Sequence, residues 1–250
     1  MYMANIKIQV VNESTVLSDA QVRAAVPAFQ TQVHRDFAAA FGIDADLSFV
    51  PQGTNPDPSS WMLVILDNSD QANALGYHDL SPSGMPLGKA FAGEDIRNGL
   101  QWPVTVTHEM LEMLADPDVN LTVFVQDANS TSGVIYAYEV CDPCEADSLA
   151  YNIGGVKVSD FVYPTWFESF RAEGSTQFDF GNKITKPFQI LPGGYIGAFN
   201  VTSGSGWQQL TATAGGIKPV DLRRAGVRVD SRISRRSKPR RDWKRSVGRG

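Results

Sequence analysis

The chain has 250 residues, of which 42% are hydrophobic and 20% are charged, and its formal net charge is −5. This content can bury the core of one large domain or two small ones, and no apolar run approaches the ~18 residues of a membrane span. A membrane partner is therefore not expected. The first residues lack a basic region followed by a long apolar stretch and a small-residue cleavage site, which predicts cytoplasmic synthesis without export.

The first half of the chain alternates predicted strands with one long helix. Apolar patterns predict strands at residues 6–11, 47–51 and 61–67, and the last of these is continuous enough to indicate burial on both faces. Ser18 and Gln21 form a capping box that opens a helix extending to about Phe41, where Gly42 ends it. Residues 68–79 are rich in turn formers, and residues 87–91 predict a short edge strand.

A second helix follows and leads into a half of the chain that is rich in strands. This helix is predicted to end at Asp116, because Pro117 disfavours helical geometry in the residue before it. Short strands are predicted at residues 121–126, 134–140 and 156–162, with turns at 191–195 and 204–207. The order of elements predicts an α+β fold without internal repeats.

The second helix contains His108, Glu109 and Glu112 in the pattern H-E-x-x-E. Residues four apart lie on one helix face, so His108 and Glu112 could bind one ion with Glu109 beside it. The pattern is that of a zinc-peptidase helix whose second histidine is replaced by glutamate. Such a pattern arises by chance in roughly one sequence in twenty. The alternative is an amphipathic helix whose Met and Leu residues pack inward and whose polar residues are solvated.

The charges around this helix favour the metal site over the amphipathic alternative. No Lys or Arg occurs between Arg97 and Lys157, although this stretch contains nine acidic residues: Glu109, Glu112, Asp116, Asp118, Asp127, Glu139, Asp142, Glu145 and Asp147. These carboxylates repel one another, and the last acids of the helix lie where its dipole disfavours anions. A divalent cation would relieve both effects.

The order of elements and the H-E-x-x-E helix resemble the N-terminal half of the zincin metallopeptidases. Residues 107–117, together with the sequence Tyr-Ala-Tyr-Glu-Val-Cys-Asp-Pro at 136–143, are more closely similar to a group of bacterial and phage-encoded zincin-like proteins. The similarity covers about residues 5–210. It implies a twisted mixed sheet packed on an active-site helix, with an edge strand bordering the substrate cleft. We therefore divide the chain into a zincin-like part at 1–118, a β-rich part at 119–222 that completes the metal site, and a basic tail at 223–250.

The resemblance implies roles for the residues of the motif. His108 is the first metal ligand, Glu109 the general base and Glu112 the second ligand. The third ligand is expected to be Glu139 or Asp142, of which Asp142 could instead be a partner of His108.

Other polar residues around the motif are weaker candidates. Asp118 is a third-ligand alternative, but the tight turn it requires would have Gly at Ala115. Asp116 is expected to orient the site rather than to bind the ion. His78 or a tyrosine such as Tyr163 could donate a hydrogen bond to a developing oxyanion.

Two classes of function follow. The first is a metal-dependent hydrolase that cleaves peptides or proteins. Since two carboxylates and one imidazole bring a divalent ion to net neutrality, its Lewis acidity falls, and the expected ion is Zn²⁺ with Mn²⁺, Fe²⁺ or Ca²⁺ as alternatives. The second class is a non-catalytic component of a phage or other assembly, associated with the particle or virion, that keeps a zincin scaffold and docks through its tail.

The tail and the cysteines complete the sequence-based expectations. Residues 223–250 contain twelve Lys or Arg and only two acids, which gives a tail of +10 on a body of −15. The tail has too little apolar surface to form a core, so it either contacts the acidic body or binds nucleic acid or an acidic protein surface. Cys141 and Cys144 form a single C-x-x-C pair, for which a disulfide and free thiols are equally compatible with the spacing.

Overall fold

The computed structural model describes residues 6–71, 74–203 and 206–221, in which the chain has a mixed α+β fold with few helices and several sheets. The predicted basic tail lies outside these residues, as does part of the predicted turn at 204–207. Among the described residues, no helix combines the length and the apolar character needed to cross a membrane.

The N-terminal half forms a five-stranded mixed sheet. Its strands are β1 (Ile6–Asn12), β2 (Ala45–Val50), β3 (Trp61–Leu66), β4 (Gly76–Leu80) and β5 (Pro86–Phe91), in the order β2-β1-β3-β5-β4. The first four strands in this order are parallel to their neighbours, whereas β4 is antiparallel to β5 and forms one edge.

The position of the edge strand differs from the prediction. Residues 87–91 belong to β5, which lies inside the sheet between β3 and β4. The edge is β4, which overlaps the segment predicted to contain turns. This strand has five residues, including a glycine and an aspartate, and both types are depleted in strands. Its sequence therefore carries little strand signal.

In the described part of the chain, four α-helices accompany the strands: α1 (Asp19–Thr31), α2 (Ala38–Phe41), α3 (Ala92–Arg97) and α4 (Trp102–Ala115). The predicted capping box is confirmed, because Ser18 Oγ accepts from the Gln21 amide and the Gln21 side chain accepts from the Ser18 amide. A π-helical segment, Gln32–Phe37, joins α1 to α2. Gly42 follows in the left-handed conformation with a φ of 69° and ends the helical segment as predicted.

The main core lies between the sheet and the two long helices. Ile8, Val10, Leu63 and Ile65 are fully buried, and Phe29 of α1 contacts Trp102 of α4 with 6.2 Å between the ring centroids. The residues on the other face of β3 remain half-buried. The prediction that this strand is buried on both faces therefore holds for one face only.

The second half of the chain forms an antiparallel sheet and a small hairpin. The sheet contains β6 (Thr122–Gln126), β7 (Gly133–Ala137), β10 (Tyr195–Asn200), β11 (Trp207–Thr213) and β12 (Gly216–Asp221), and the hairpin contains β8 (Tyr151–Ile153) and β9 (Val156–Val158). The predicted strands at 134–140 and 156–162 are longer than β7 and β9. Beyond these ends, the amides of Cys141 and Ser159 donate to side chains of α4 instead of to a neighbouring strand.

Candidate metal centre

Helix α4 is buried on all sides, although it carries three charged or titratable residues. Its fully buried or nearly buried apolar residues are Met110, Leu111, Met113 and Leu114. The polar residues are buried as well: His108 is 7% exposed, Glu109 5% and Glu112 4%. A solvated polar face is therefore absent, and the amphipathic-helix alternative is wrong. Buried carboxylates require a compensating partner.

Gly76 allows the edge of the sheet to approach the helix at Glu109. His78 of β4 lies opposite Gly88 of β5, and Gly76 lies opposite Ala90. Residues two apart in one strand, and residues opposite each other in neighbouring strands, have side chains on the same face of the sheet. His78 therefore shares the face of Gly76 and Gly88, which packs against the helix. A Cβ atom at Gly76 would lie 2.5 Å from Oε1 of Glu109, and one at Gly88 would lie 3.7 Å from its Cβ. The carboxylate of Glu109 therefore lies directly against β4.

The first group of ligand-type side chains, triad A, consists of His108, Glu112 and Asp142. His108 Nε2 lies 3.3 Å from Glu112 Oε2 and 3.2 Å from Asp142 Oδ1. The other oxygen of Glu112 accepts from the amides of Cys141 (3.1 Å) and Asp142 (3.3 Å). These two hydrogen bonds fix the carboxylate of Glu112 and tie the segment containing Asp142 to the helix.

The second group, triad B, consists of His78, Glu112 and Glu139. His78 Nδ1 lies 3.7 Å from Glu112 Oε2, and its Nε2 lies 3.9 Å from Glu139 Oε2. His78 Nδ1 also lies 3.8 Å from Glu109 Oε2. Within each triad the three ligand atoms lie within 4.8 Å of one another. Glu112 belongs to both triads, so the two groups form one continuous buried site.

The electrostatics of the site reflect its excess of carboxylates. Burial lowers the pKa of His108, but Glu112 and Asp142 outweigh this effect and raise it well above its ordinary value. Burial raises the pKa of Glu109, and the nearby His78 opposes this effect only in part. Burial also acts to raise the pKa of Glu112, but the opposite effects, led by that of His108, are together larger. The pKa of Glu112 is therefore lowered overall. Without a cation, His108 and Glu109 therefore bind protons more tightly than ordinary side chains of their types do.

Two residues near the site were not among the predicted site residues. Burial raises the pKa of Glu145 to about 8, and the carboxylates of Asp142 and Glu112 contribute to the same shift. The pKa of Tyr195 is raised well above its ordinary value by burial and then by Asp142 and Glu145. Tyr195 opens β10 directly after Gly194, where a Cβ would lie 2.5 Å from the carbonyl oxygen of Pro143. The adjacent glycines were the only sequence signal for this contact.

Three of the weaker candidates lie outside both triads. The carboxylate of Asp116 accepts from the amides of Asn120 (3.1 Å) and Leu121 (2.8 Å), so it caps the turn after α4. Asp118 is part of neither triad. Burial raises the pKa of Tyr163, with further contributions from Asp36 and other acids outside the triads.

Both cysteines are free thiols in the structure, and both are buried. Burial raises the pKa of each well above its ordinary value, and nearby carboxylates add to the effect. Neutral buried thiols are poor nucleophiles and poor metal ligands. Cys141 contributes to the site through its backbone amide instead.

The donor set of the site fits a divalent cation. Two ligands of a tetrahedral ion with bonds of about 2.0–2.1 Å lie about 3.3–3.4 Å apart, which matches the separations in triad A. Imidazole nitrogen and carboxylate oxygen are also ordinary ligands of such ions. The buried His, Glu and Asp side chains can therefore hold a metal ion. No family model, curated protein or solved structure matches the chain, so the site itself carries the functional argument.

Proposed function

We propose that the protein is a metal-dependent hydrolase that cleaves peptide bonds at this site. The observation that carries the proposal is the position of Glu109, a carboxylate that is buried beside both triads without belonging to either. A metal site that only stabilises the fold does not require such a group. A hydrolytic site does require one, because a base must accept a proton from the attacking water.

In this proposal, His108, Glu112 and Asp142 hold the ion, and the separations in triad A favour Zn²⁺. Mn²⁺, Fe²⁺ and Ca²⁺ remain alternatives because two of the three ligands are carboxylates. The bound ion would supply Lewis acidity to polarise a carbonyl group and to acidify water. Glu109 accepts the proton, and its raised pKa brings it closer to the pH at which it operates.

The architecture around α4 supports the resemblance to zincins. The sheet is mixed, its single antiparallel strand is an edge strand, and this strand packs against the helix that carries H-E-x-x-E. These are the features that a zincin-like arrangement implies. They do not depend on the identity of the ion.

The edge strand also favours an extended polypeptide as the substrate. Among the described residues, β4 pairs with β5 and with no other strand. Its outer edge can therefore pair with a peptide through backbone hydrogen bonds. Because His78 lies on this strand, a peptide bound there would pass close to Glu109.

The proposal is tested with a peptide-library digest of protein purified without chelator. Glu109→Gln should retain the ion and lose hydrolysis, because the amide keeps the shape of the side chain but cannot accept a proton. Glu13→Gln changes an exposed glutamate in the same way and should cleave as the wild type does. Cleavage that survives Glu109→Gln would refute the assigned base. An ion bound without any cleavage would favour the non-catalytic docking component.

A further inference from the structure

The two triads differ in their dimensions as well as in their residues. In triad A the histidine nitrogen lies 3.2–3.3 Å from the carboxylate oxygens. In triad B the two contacts involve different nitrogens of one ring, because His78 Nδ1 lies 3.7 Å from Glu112 Oε2 and His78 Nε2 lies 3.9 Å from Glu139 Oε2. The ring of His78 therefore lies between the two carboxylates, and one of its nitrogens and one oxygen of each carboxylate lie within 4.8 Å of one another, close enough to contact one cation.

The charge of the site also exceeds what one ion neutralises. Four carboxylates, those of Glu109, Glu112, Glu139 and Asp142, are between 2% and 5% exposed. One divalent ion compensates two of these charges when all four are ionised. An uncompensated buried charge is strongly unfavourable, whereas a second divalent ion would bring the group to neutrality.

We propose that His78, Glu112 and Glu139 bind a second divalent cation, of the Mn²⁺ or Ca²⁺ class, and that Glu112 bridges it to the ion of triad A. The carboxylate-rich donor set favours such ions over Zn²⁺. When Nε2 of His78 binds the ion beside Glu139, its Nδ1 faces the carboxylate of Glu109, as is usual for histidine ligands. His78 is then a metal ligand and not an oxyanion donor. This inference deepens the proposed function and rests on the same metal centre.

The bridging role of Glu112 follows from its geometry. Its Oε2 lies near both histidines, at 3.3 Å from His108 Nε2 and 3.7 Å from His78 Nδ1. Its Oε1 is held by two backbone amides and cannot turn toward one triad without losing them. One carboxylate at a fixed position therefore serves both groups. Substitution of Glu112 should affect both ions, and substitution of either histidine only one.

The test first measures the metal stoichiometry of the full chain by equilibrium dialysis and elemental analysis. Zn²⁺-loaded protein is then titrated with Mn²⁺, and bound Mn²⁺ is detected by electron paramagnetic resonance. The wild type should bind one Zn²⁺ and one Mn²⁺. His78→Ala and Glu139→Gln should weaken Mn²⁺ binding by about 100-fold or more and change Zn²⁺ affinity by less than about tenfold. Glu112→Gln should weaken both. Glu139→Gln is nearly isosteric, so it keeps the test decisive if His78→Ala does not fold.

The chain offers a matched control, because it contains three histidines and only His34 lies outside the site. His34 is exposed beside Asp44 and Asp46, so His34→Ala removes a surface histidine with acidic neighbours and should leave both ions in place. A single ion whose binding is unchanged by His78→Ala would overturn the second site. A single ion lost in both the His78 and His108 variants would also overturn it, by showing one shared site. Protein that binds no ion would overturn the proposed function as well.

Discussion

Substitution of Gly76 by alanine tests whether the carboxylate of Glu109 is held against the edge strand. The added Cβ would lie 2.5 Å from Oε1, 2.7 Å from Cγ and 2.9 Å from Cδ of Glu109. Ordinary contacts begin about 1 Å further out, so the side chain or the strand must move by about that distance. Glu109 is 5% exposed and has little room to move.

Two effects of opposite sign decide the stability of Gly76→Ala. Overpacking of a buried site costs typically 1–3 kcal/mol. Replacement of glycine by alanine elsewhere stabilises by about 0.4–1 kcal/mol through the unfolded state. Overpacking prevails, so we expect a net loss of about 1–2 kcal/mol and a decrease in Tm of roughly 2–8 °C. Displacement of a catalytic group by about 1 Å should also reduce turnover by about 100-fold.

Thermal unfolding followed by circular dichroism measures the first effect, and peptide cleavage measures the second. Gly215→Ala is the matched control, because a Cβ there would meet only Thr213 Oγ1 at 3.9 Å. It should leave Tm unchanged or slightly higher. If Gly76→Ala equals this control in both Tm and turnover, Glu109 does not lie against β4 and the geometry assigned to the base is wrong.

Three further predictions concern other parts of the chain. Burial and then Asp179 raise the pKa of Asp160 from 3.8 to about 7. Because the folded state binds this proton more tightly than the unfolded state, the free energy of unfolding should fall as pH rises from about 4 to about 7. Asp160→Asn should flatten this pH dependence, as measured by urea unfolding at each pH. Tyr151→Phe removes a 2.8 Å hydrogen bond to the buried carboxylate of Asp36 and should cost about 1.5–3 kcal/mol, measured in the same way. Deletion of residues 226–250 should leave Tm and metal content unchanged but abolish binding to nucleic acid or to an acidic protein surface. In the full chain, this binding should weaken steeply as the salt concentration rises. A truncated chain that loses its thermal transition would contradict the tether hypothesis.

The sequence signals for the starts and ends of the helices are local, so these boundaries could be predicted without the structure. The capping box at Ser18 and the stop at Gly42 each depend on residues within one helical turn, and both are confirmed. The same holds for the end of α4 before Pro117. The edge strand β4 was missed because its pairing with β5, and not its own composition, makes it a strand.

The ligands of the site could be predicted only as far as sequence spacing reaches. His108 and Glu112 lie four apart on one helix, so their proximity follows from helical geometry. Glu139 and Asp142 could be chosen only as a pair of alternatives, and the structure places one in each triad. His78 approaches the helix because of the register between β4 and β5, which the sequence does not reveal.

Anomalous diffraction from crystals grown with Zn²⁺, recorded above and below the zinc absorption edge, tests the metal centre most directly. The account predicts a zinc peak within about 2.0–2.2 Å of His108 Nε2 and of carboxylate oxygens of Glu112 and Asp142. A peak confined to the exposed pair of His34 and Asp44, or no zinc peak at all, would contradict it.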